Sequence, residues 1–234
     1  MENTVSDTVL PGPYPGPPSR TRRLRRRAVT GAALSLLIAL TGCTSSTEED
    51  SSPAGRGADT TPVAVTGPLC DVLPAGDEPG NPASLVGQTP DQALTWIPVL
   101  TTFEAAVRAT GMAEELSAAD GVTILAPTDD AFKAKFSTAN VDELLLKETE
   151  TLRGLLREHV VTGAHSVTDL VAAGTVRTLA GTDLAVTPAD SGARVAEKAE
   201  TVCADYRAGA ARIHVVNKVL GSLPDTAHEE EHHH

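Results

Sequence analysis

The stretch Val122-Thr123-Ile124-Leu125-Ala126-Pro127-Thr128-Asp129-Asp130-Ala131-Phe132 changes from one type of secondary structure to another within a few residues. Its first five residues are β-branched or apolar, which predicts a buried strand. The strand must stop at the proline, because proline has no backbone N–H to donate to a neighbouring strand. Thr128 or Asp129 can then cap a helix whose apolar face includes Phe132. We therefore predict a strand that passes directly into a helix.

The residues before this stretch follow the pattern of short helices. Thr89-Pro90-Asp91-Gln92 offers an N-cap, a proline at the first helical position and a capping-box partner. Pro98 then breaks this helix and can start a second one, which Gly111 ends. Residues 144–146 and 152–159 favour two further helical pieces. We expect a group of short helices around the strand.

From Thr175 onward the pattern changes to short β runs separated by turn residues. The predicted strands are residues 176–179, 184–186, 194–196, the neighbours of Val202, and 213–216. Helices that come first and strands that come later are typical of an α+β domain. Residues 69–224 have the length of one such domain with a single core.

Three segments of this chain resemble the signatures of the fasciclin domain family. The stretch at residues 122–132 is similar to the first signature. Leu155-Leu156-Arg157-Glu158-His159-Val160-Val161-Thr162-Gly163 is similar to the central histidine segment, and residues 213–220 are similar to the closing strand. The chain most resembles the single-domain secreted and lipoprotein fasciclin antigens of actinobacteria. The resemblance implies a β-wedge of about seven strands with a lobe of short helices, and a role in adhesion or surface interaction.

The same segments contain candidate interaction residues. In many family members a tyrosine precedes the central histidine and the pair is tied to cell adhesion, whereas here Glu158 precedes His159. The other interpretation of His159 is a hydrogen-bonded structural residue that ties a helix to the sheet. Asp129 and Asp130 are further candidates, although the macrodipole alone favours carboxylates in a first helical turn. We predict no metal site.

A second region, before the domain, indicates the compartment. Six arginines between residues 20 and 27 precede the apolar run 28–40, which ends in Leu40-Thr41-Gly42-Cys43. Thirteen residues of helix span about 20 Å, less than the roughly 30 Å hydrocarbon core, so the run indicates a signal peptide. Its end resembles a bacterial lipoprotein processing site, in which Cys43 is acylated and becomes the new N-terminus. A chance cysteine behind an ordinary signal peptide is the alternative.

We therefore expect residues 1–42 to be removed and the body to be held by acyl chains on the outer face of the cell membrane, with part of it secreted. Removal leaves 13 of the 19 basic and 29 of the 31 acidic residues, a net charge of −16. Anionic lipid and nucleic acid repel such a body. We predict no nucleic-acid partner, a membrane contact through the acyl chains alone, and a monomer.

Two polar segments flank the domain. Residues 43–68 are dominated by Ser, Thr, Pro, Gly, Ala and acidic residues, which predicts a flexible linker. Residues 225–234 form a polar tail, in which His228-Glu229-Glu230-Glu231-His232 matches the H-E-x-x-H string of zinc proteases. That string binds zinc when a helix packed on an apolar core presents it, and a polar tail offers no apolar face.

The cysteine count predicts a disulfide. With Cys43 committed to lipid, Cys70 and Cys203 remain as an even pair in an oxidising compartment. The actinobacterial antigens likewise have one cysteine before the first helix and one in the late strands. Two unpaired structural cysteines are the alternative.

The sequence contains no G-x-S-x-G, P-loop or dinucleotide fingerprint. We expect a surface protein that uses no cofactor, catalyses no reaction and contacts protein or glycan partners. The alternative is a surface carrier that holds a small apolar molecule or lipid between the helical lobe and the β-wedge. A continuous apolar cavity at that place would favour the carrier, and a filled core would favour the contact protein.

Overall fold

The structure is a computed structural model that describes residues 64–227, all within one compact unit of the chain. The signal peptide, Cys43, most of the linker and the tail from residue 228 onward lie outside the described residues. A 3₁₀ turn at Cys70–Val72 is followed by helices α1 to α8 and strands β1 to β7. Their bounds are α1 Pro82–Leu85, α2 Pro90–Leu94, α3 Thr101–Thr110, α4 Ala113–Leu116, β1 Val122–Pro127, α5 Asp129–Lys133, α6 Thr138–Leu146, α7 Thr149–Arg157, β2 Val160–Thr162, α8 Val167–Ala173, β3 Thr175–Arg177, β4 Asp183–Ala189, β5 Gly192–Val195, β6 Ala199–Ala208 and β7 Ala211–Val216.

The seven strands form one sheet in the order β2-β1-β7-β6-β5-β4-β3. β1 and β7 pair in parallel, and the other neighbours pair antiparallel. The two end strands approach each other through a bridge between Val161 and Thr178, and the Leu179 N–H donates to the Val160 carbonyl at 2.7 Å. The sheet is therefore nearly closed, and the predicted α+β fold with a seven-stranded β-wedge is confirmed.

The predicted change from strand to helix occurs at the expected residues. Every residue of β1 is buried, and the Thr128 side chain accepts a hydrogen bond from the Ala131 N–H as the N-cap of α5. The second helix differs from the prediction, because α3 begins at Thr101 and not directly after Pro98. Its C-terminal end is as expected: Gly111 has a left-handed φ of 65°, which glycine adopts without strain.

Helix α8 lies outside the helical segments that the sequence predicts. It begins with a capping box, in which the Ser166 side chain accepts from the Asp169 N–H and the Asp169 carboxylate accepts from the Ser166 N–H. This S-x-x-D pattern is a local signal for the start of a helix. α8 covers a smaller hydrophobic cluster under strands β3 to β5, separate from the main cluster that joins the other helices to the sheet.

The N-terminal residues 64–69, here called the strap, lie along β6. Thr66 forms a bridge with Ala204, and the Leu69 N–H donates to the Val202 carbonyl at 2.8 Å. Directly after the strap, Cys70 forms a disulfide with the fully buried Cys203 of β6. The predicted disulfide is confirmed. Residues 66–68, which the sequence assigns to the flexible linker, are paired with or packed on the sheet, because the backbone of β6 offers them hydrogen-bond partners.

His159 fastens the C-terminal segment of the domain to α7. The Nδ1–H donates to the Leu155 carbonyl at 2.8 Å, and Nε2 accepts from the Leu220 N–H at 2.8 Å. The ring is 1% exposed. Burial lowers its pKa to about 4 and outweighs the opposing effect of the Leu155 carbonyl, while Lys198 and Lys135 lower it further. His159 is therefore neutral at pH 7, as its two hydrogen bonds require.

We expect the disulfide to contribute much of the stability. It closes a loop of 133 residues, and Cys70→Ala with Cys203→Ala should lower the free energy of unfolding by about 2–5 kcal/mol, measured by urea titration. Peptide mapping of the wild type without reductant is the control, and it should recover the Cys70 and Cys203 peptides joined to each other. Native protein in which both cysteines react with an alkylating reagent would contradict the bond.

We also expect His159 to make stability depend on pH. Because its pKa is about 4 when folded and about 6.5 when unfolded, the unfolded chain binds the proton more tightly. The stabilisation is complete above pH 6.5 and falls as the pH drops toward 4, by roughly 2–3 kcal/mol between pH 7.5 and 4.5. The His159→Gln variant should lack this pH-dependent part of the stability. If the unfolding free energies of wild type and variant differ by the same amount at pH 7.5 and at pH 4.5, the role of His159 is refuted.

Candidate functional site

A surface cleft of about 550 Å³ lies where the strap passes the start of α5. We call it the strap cleft. Its wall combines prolines and aliphatic side chains with a few polar groups. The lining residues are Pro68, Leu69, Pro98, Val99, Thr128, Asp129, Asp130, Ala131, Lys133, Val202 and Asn217.

The parallel pairing of β1 with β7 brings two of these residues together. Pro127 lies opposite Val216 at the end of the pair, and the Thr128 N–H donates to the Val216 carbonyl at 3.0 Å. Thr128 and Asn217 therefore leave the sheet at the same edge. The Asn217 Oδ1 accepts from the Glu200 N–H at 2.9 Å, and the Asn217 N–H donates to the Glu200 carbonyl at 3.1 Å. These two bonds fix the position of the asparagine.

Asp129 lines the cleft, but its carboxylate already accepts hydrogen bonds from the first residues of α3. One oxygen accepts from the Thr102 N–H at 2.7 Å, and the other accepts from the Thr101 hydroxyl at 2.8 Å and the Thr101 N–H at 3.3 Å. These amides are the first of α3 and have no partner within the helix. Asp129 thus caps a helix that precedes it by 28 residues. The carboxylate also explains why α3 begins at Thr101.

Asp130 is the predicted candidate that remains available to a partner. Its side chain is 91% exposed, and its ion pair with Lys133 at 3.3 Å involves a lysine that is 77% exposed. Such exposed pairs contribute about 0–1 kcal/mol, since water screens both charges. A partner can therefore replace this contact at little cost.

The other two predicted candidates lie outside the lining of the strap cleft. His159 is buried with both ring nitrogens hydrogen-bonded, which supports its structural interpretation. The Glu158 Oε1 accepts from the Thr182 hydroxyl at 2.9 Å on the surface between α7 and the β3–β4 turn. Glu158 and His159 are adjacent in sequence, yet only the glutamate reaches solvent.

A second buried histidine has a similar structural position. The His214 Nδ1 accepts from the Asp205 N–H at 3.1 Å, and its Nε2–H donates to the His165 carbonyl at 2.9 Å. Burial lowers the pKa of His214, against the raising effects of the His165 carbonyl and Asp205. The Asp205 carboxylate in turn accepts from the Val167 N–H at the start of α8. This histidine holds the sheet to α8 and is not part of the cleft.

The strap cleft is chemically suited to binding. Its lining contains no histidine or cysteine, and residues 64–227 contain no group of three His, Cys, Asp or Glu side chains that could hold a metal ion. Its apolar wall can bury a partner's side chains, and Asp130, Lys133 and Asn217 can orient the partner. Within that same part of the chain, no helix has the length and apolar character needed to cross a membrane.

The sequence patterns do not reveal the strap side of this cleft. They place Pro68 and Leu69 at the linker boundary and Val202 in a predicted strand. The predicted disulfide contains the missing signal, because Cys70 follows Leu69 and Cys203 follows Val202. A bond between those cysteines brings their neighbours together.

Comparisons with known proteins agree with this architecture. The model of the fasciclin domain family matches residues 98–223. Protein sll1483 of Synechocystis sp. (strain ATCC 27184 / PCC 6803 / Kazusa) is 36% identical over 137 residues, which cover 56% of this chain and 74% of that protein.

Among solved structures, a FAS1 domain pair from the insect cell adhesion molecule fasciclin I matches with 19% sequence identity and a TM-score of 0.40. The match covers 53% of this chain and 45% of the domain pair, so this chain spans less than half of that structure. Fasciclin domains occur in extracellular or cell-surface proteins and are typically not enzymes.

The family model covers more than half of the chain. The three segments that resemble the family's signatures form β1 with α5, the end of α7 with β2, and β7. The chain belongs to the fasciclin domain family.

Proposed function

We propose that this protein is an exported lipoprotein, anchored on the outer face of the cell membrane by acyl chains on Cys43, whose fasciclin domain contacts a protein or glycan partner. The observation that supports this contact is the strap cleft, whose lining is partly apolar and partly polar and lies where the predicted linker meets the domain. In this proposal the protein binds without catalysis, and no cofactor takes part.

The linker length and the charge of the domain support this arrangement. Twenty residues, 44–63, separate Cys43 from the described part of the chain. Residues 64–227 carry 22 acidic and 12 basic side chains. Anionic lipid repels a domain of this charge, so the acyl chains provide the attachment.

The composition of the cleft indicates the kind of contact. Val99, Leu69 and Val202 are partly buried and present apolar surface, while Asp130 stands at the rim. A partner segment with an apolar side chain next to a cationic or hydroxyl-rich group matches this combination. A protein loop or a glycan can supply it.

The packing of the core favours the contact protein over the carrier. One hydrophobic cluster contains residues of helices α2 to α7 together with residues of β1, β6 and β7. A gap inside the helical lobe, between Phe132, Leu144 and Leu152, measures only about 10 Å³. A core filled in this way supports recognition at the surface.

Cys43→Ala tests the anchor. Without its thiol the chain cannot be acylated, so we expect unprocessed precursor and loss of metabolic labelling with a radioactive or clickable fatty acid. Cys70→Ala serves as the control, since Cys70 pairs with Cys203 and should leave labelling intact. Full labelling of the Cys43 variant would disprove the anchor.

Asp130→Arg tests the cleft. The substitution reverses a charge at the rim and breaks only an exposed ion pair, so the fold should persist. With the full chain as bait on cell-envelope and matrix extracts, we expect capture of the partner to fall about tenfold, the effect of losing about 1.4 kcal/mol of binding.

Glu150→Arg is the matched control, because Glu150 is also an exposed carboxylate in the first turn of a helix, α7. It should capture as wild type does. Equal capture by all three proteins would exclude the strap cleft as the contact surface. Recovery of lipid alone would favour the carrier.

A further inference from the structure

Two arginines lie directly opposite each other near the turn between β6 and β7. β6 ends at Ala208 and β7 begins at Ala211, and Arg207 pairs with Arg212 one position before this turn. Side chains at facing positions of antiparallel strands have Cβ atoms about 4.5–5.5 Å apart. The two guanidinium groups therefore extend from neighbouring points of the sheet. We call Arg207 and Arg212 the arginine pair.

The arginine pair lies on the sheet face opposite the main hydrophobic cluster. The residues that flank the two arginines along their strands are all buried in that cluster: Tyr206, Ala208, Ala211 and Ile213. Because successive side chains of a strand point to opposite faces, the arginines point away from it. Arg207 is exposed and Arg212 is half-buried. A ligand can therefore reach the pair from solvent.

Neither arginine of the pair has a carboxylate partner. Residues 64–227 contain seven arginines, and five of these form ion pairs with aspartate or glutamate: Arg108, Arg153, Arg157, Arg177 and Arg194. Within that range Arg207 and Arg212 are the two that form neither an ion pair nor a side-chain hydrogen bond. Because the same residues carry 22 acidic and only 12 basic side chains, two adjacent unpaired arginines indicate a partner from outside the domain.

Two carboxylates lie near the arginine pair, and both are engaged at the start of α8. Asp205, two residues before Arg207, accepts from the Val167 N–H at 3.0 Å. Asp169 accepts from the Ser166 hydroxyl at 2.6 Å and from the Ser166 N–H at 2.9 Å. These bonds are the main cause that lowers the pKa of Asp169, and Arg212 lowers it only slightly further. Neither carboxylate forms an ion pair with the arginine pair.

The neighbouring pair of strands shows the opposite arrangement. Arg194 of β5 faces Glu200 of β6, and the Arg194 Nε–H donates to the Glu200 Oε1 at 2.9 Å. Opposite charges at facing positions stabilise a sheet, and like charges destabilise it. The domain without a ligand therefore contains a local repulsion between Arg207 and Arg212. A bound anion removes this repulsion, which adds to its affinity.

We propose that the arginine pair binds a phosphate monoester group, whose oxygens accept hydrogen bonds from both guanidinium groups. A guanidinium presents its N–H donors in a planar fork that matches the oxygens of a phosphate. A phosphate monoester carries a charge of about −1.5 to −2 at pH 7, which balances two guanidinium groups. A carboxylate carries a single negative charge and balances only one of them.

The charge of the rest of the domain selects a compact carrier of this phosphate. Residues 64–227 have an excess of ten acidic side chains, 22 minus 12, so an extended polyanion is repelled wherever it passes beyond the arginine pair. A phospholipid headgroup has the same chemistry but lies in an anionic surface, which repels the domain. A small sugar phosphate places its whole charge at the pair. This site goes beyond the contact function and requires neither the anchor nor the strap cleft.

NMR titration of the full chain with glucose 6-phosphate, at pH 7.5 and constant ionic strength, tests the proposal. We expect saturable binding of one molecule per chain, with shifts of the Arg207 and Arg212 Nε–H signals. Arg207→Gln with Arg212→Gln should raise the Kd about tenfold, the equivalent of about 1.4 kcal/mol. Glucose 6-sulfate, which carries a single charge, should bind the wild type about tenfold more weakly than glucose 6-phosphate.

Arg207→Glu separates a binding role from a structural one. It places opposite charges at the facing positions, as in Arg194 and Glu200, so it should raise the urea midpoint of the ligand-free protein and abolish binding of glucose 6-phosphate. Arg177→Gln is the matched control, because Arg177 is also an exposed strand arginine but forms an ion pair with Asp183. It should bind as the wild type does.

Three results would overturn the proposal: glucose 6-phosphate that fails to saturate, a double glutamine variant that binds it as the wild type does, or an Arg207→Glu variant that retains binding. Vesicles that contain phosphatidate are the test of the other source. If the protein binds these vesicles and not glucose 6-phosphate, the sugar phosphate is excluded as the ligand.

Discussion

The parallel pairing of β1 with β7 is the constraint on which the rest of this domain depends. It joins Thr123–Pro127 to Arg212–Val216, segments almost ninety residues apart in the chain. Because both strands end at the same edge, Thr128 and Asn217 emerge together and form one wall of the strap cleft. The next residue, Asp129, caps α3 and so fixes the helical lobe to this edge of the sheet. One pair of strands thus positions both the lobe and the cleft.

Both ends of the domain are fastened by buried contacts. At the N-terminal end, the disulfide of Cys70 with Cys203 holds the strap on β6. At the C-terminal end, the neutral His159 ring accepts a hydrogen bond from the Leu220 N–H. The Thr226 hydroxyl accepts one from the N–H of Ser137, the N-cap of α6. Chain ends otherwise tend to fray, since few contacts restrain them. Here the N-terminal end also forms a wall of the strap cleft, so the disulfide helps to preserve the candidate binding surface.

Helix α5 joins the core to the strap cleft. On the strap side the rim carries the exposed Asp130 and faces a mixed wall of prolines and aliphatic side chains. On the other side Phe132 is buried in the main hydrophobic cluster. A short helix of five residues thus has one buried flank and one exposed flank, so a charge change at Asp130 alters the cleft without changing the core.

The sequence by itself determined the local features: the strand that turns into α5 at Thr128, the end of α3 at Gly111, the α+β order of elements and the pairing of Cys70 with Cys203. These follow from side-chain periodicity, capping residues and cysteine count, which need no knowledge of distant contacts. Only the tertiary structure decided that Asp129 caps α3, that His159 is buried and not displayed, and that Pro68 and Leu69 line a cleft. The reason is physical: a carboxylate, an imidazole or an unpaired strand edge can be satisfied by many partners, and folding alone selects which of them comes within hydrogen-bonding distance.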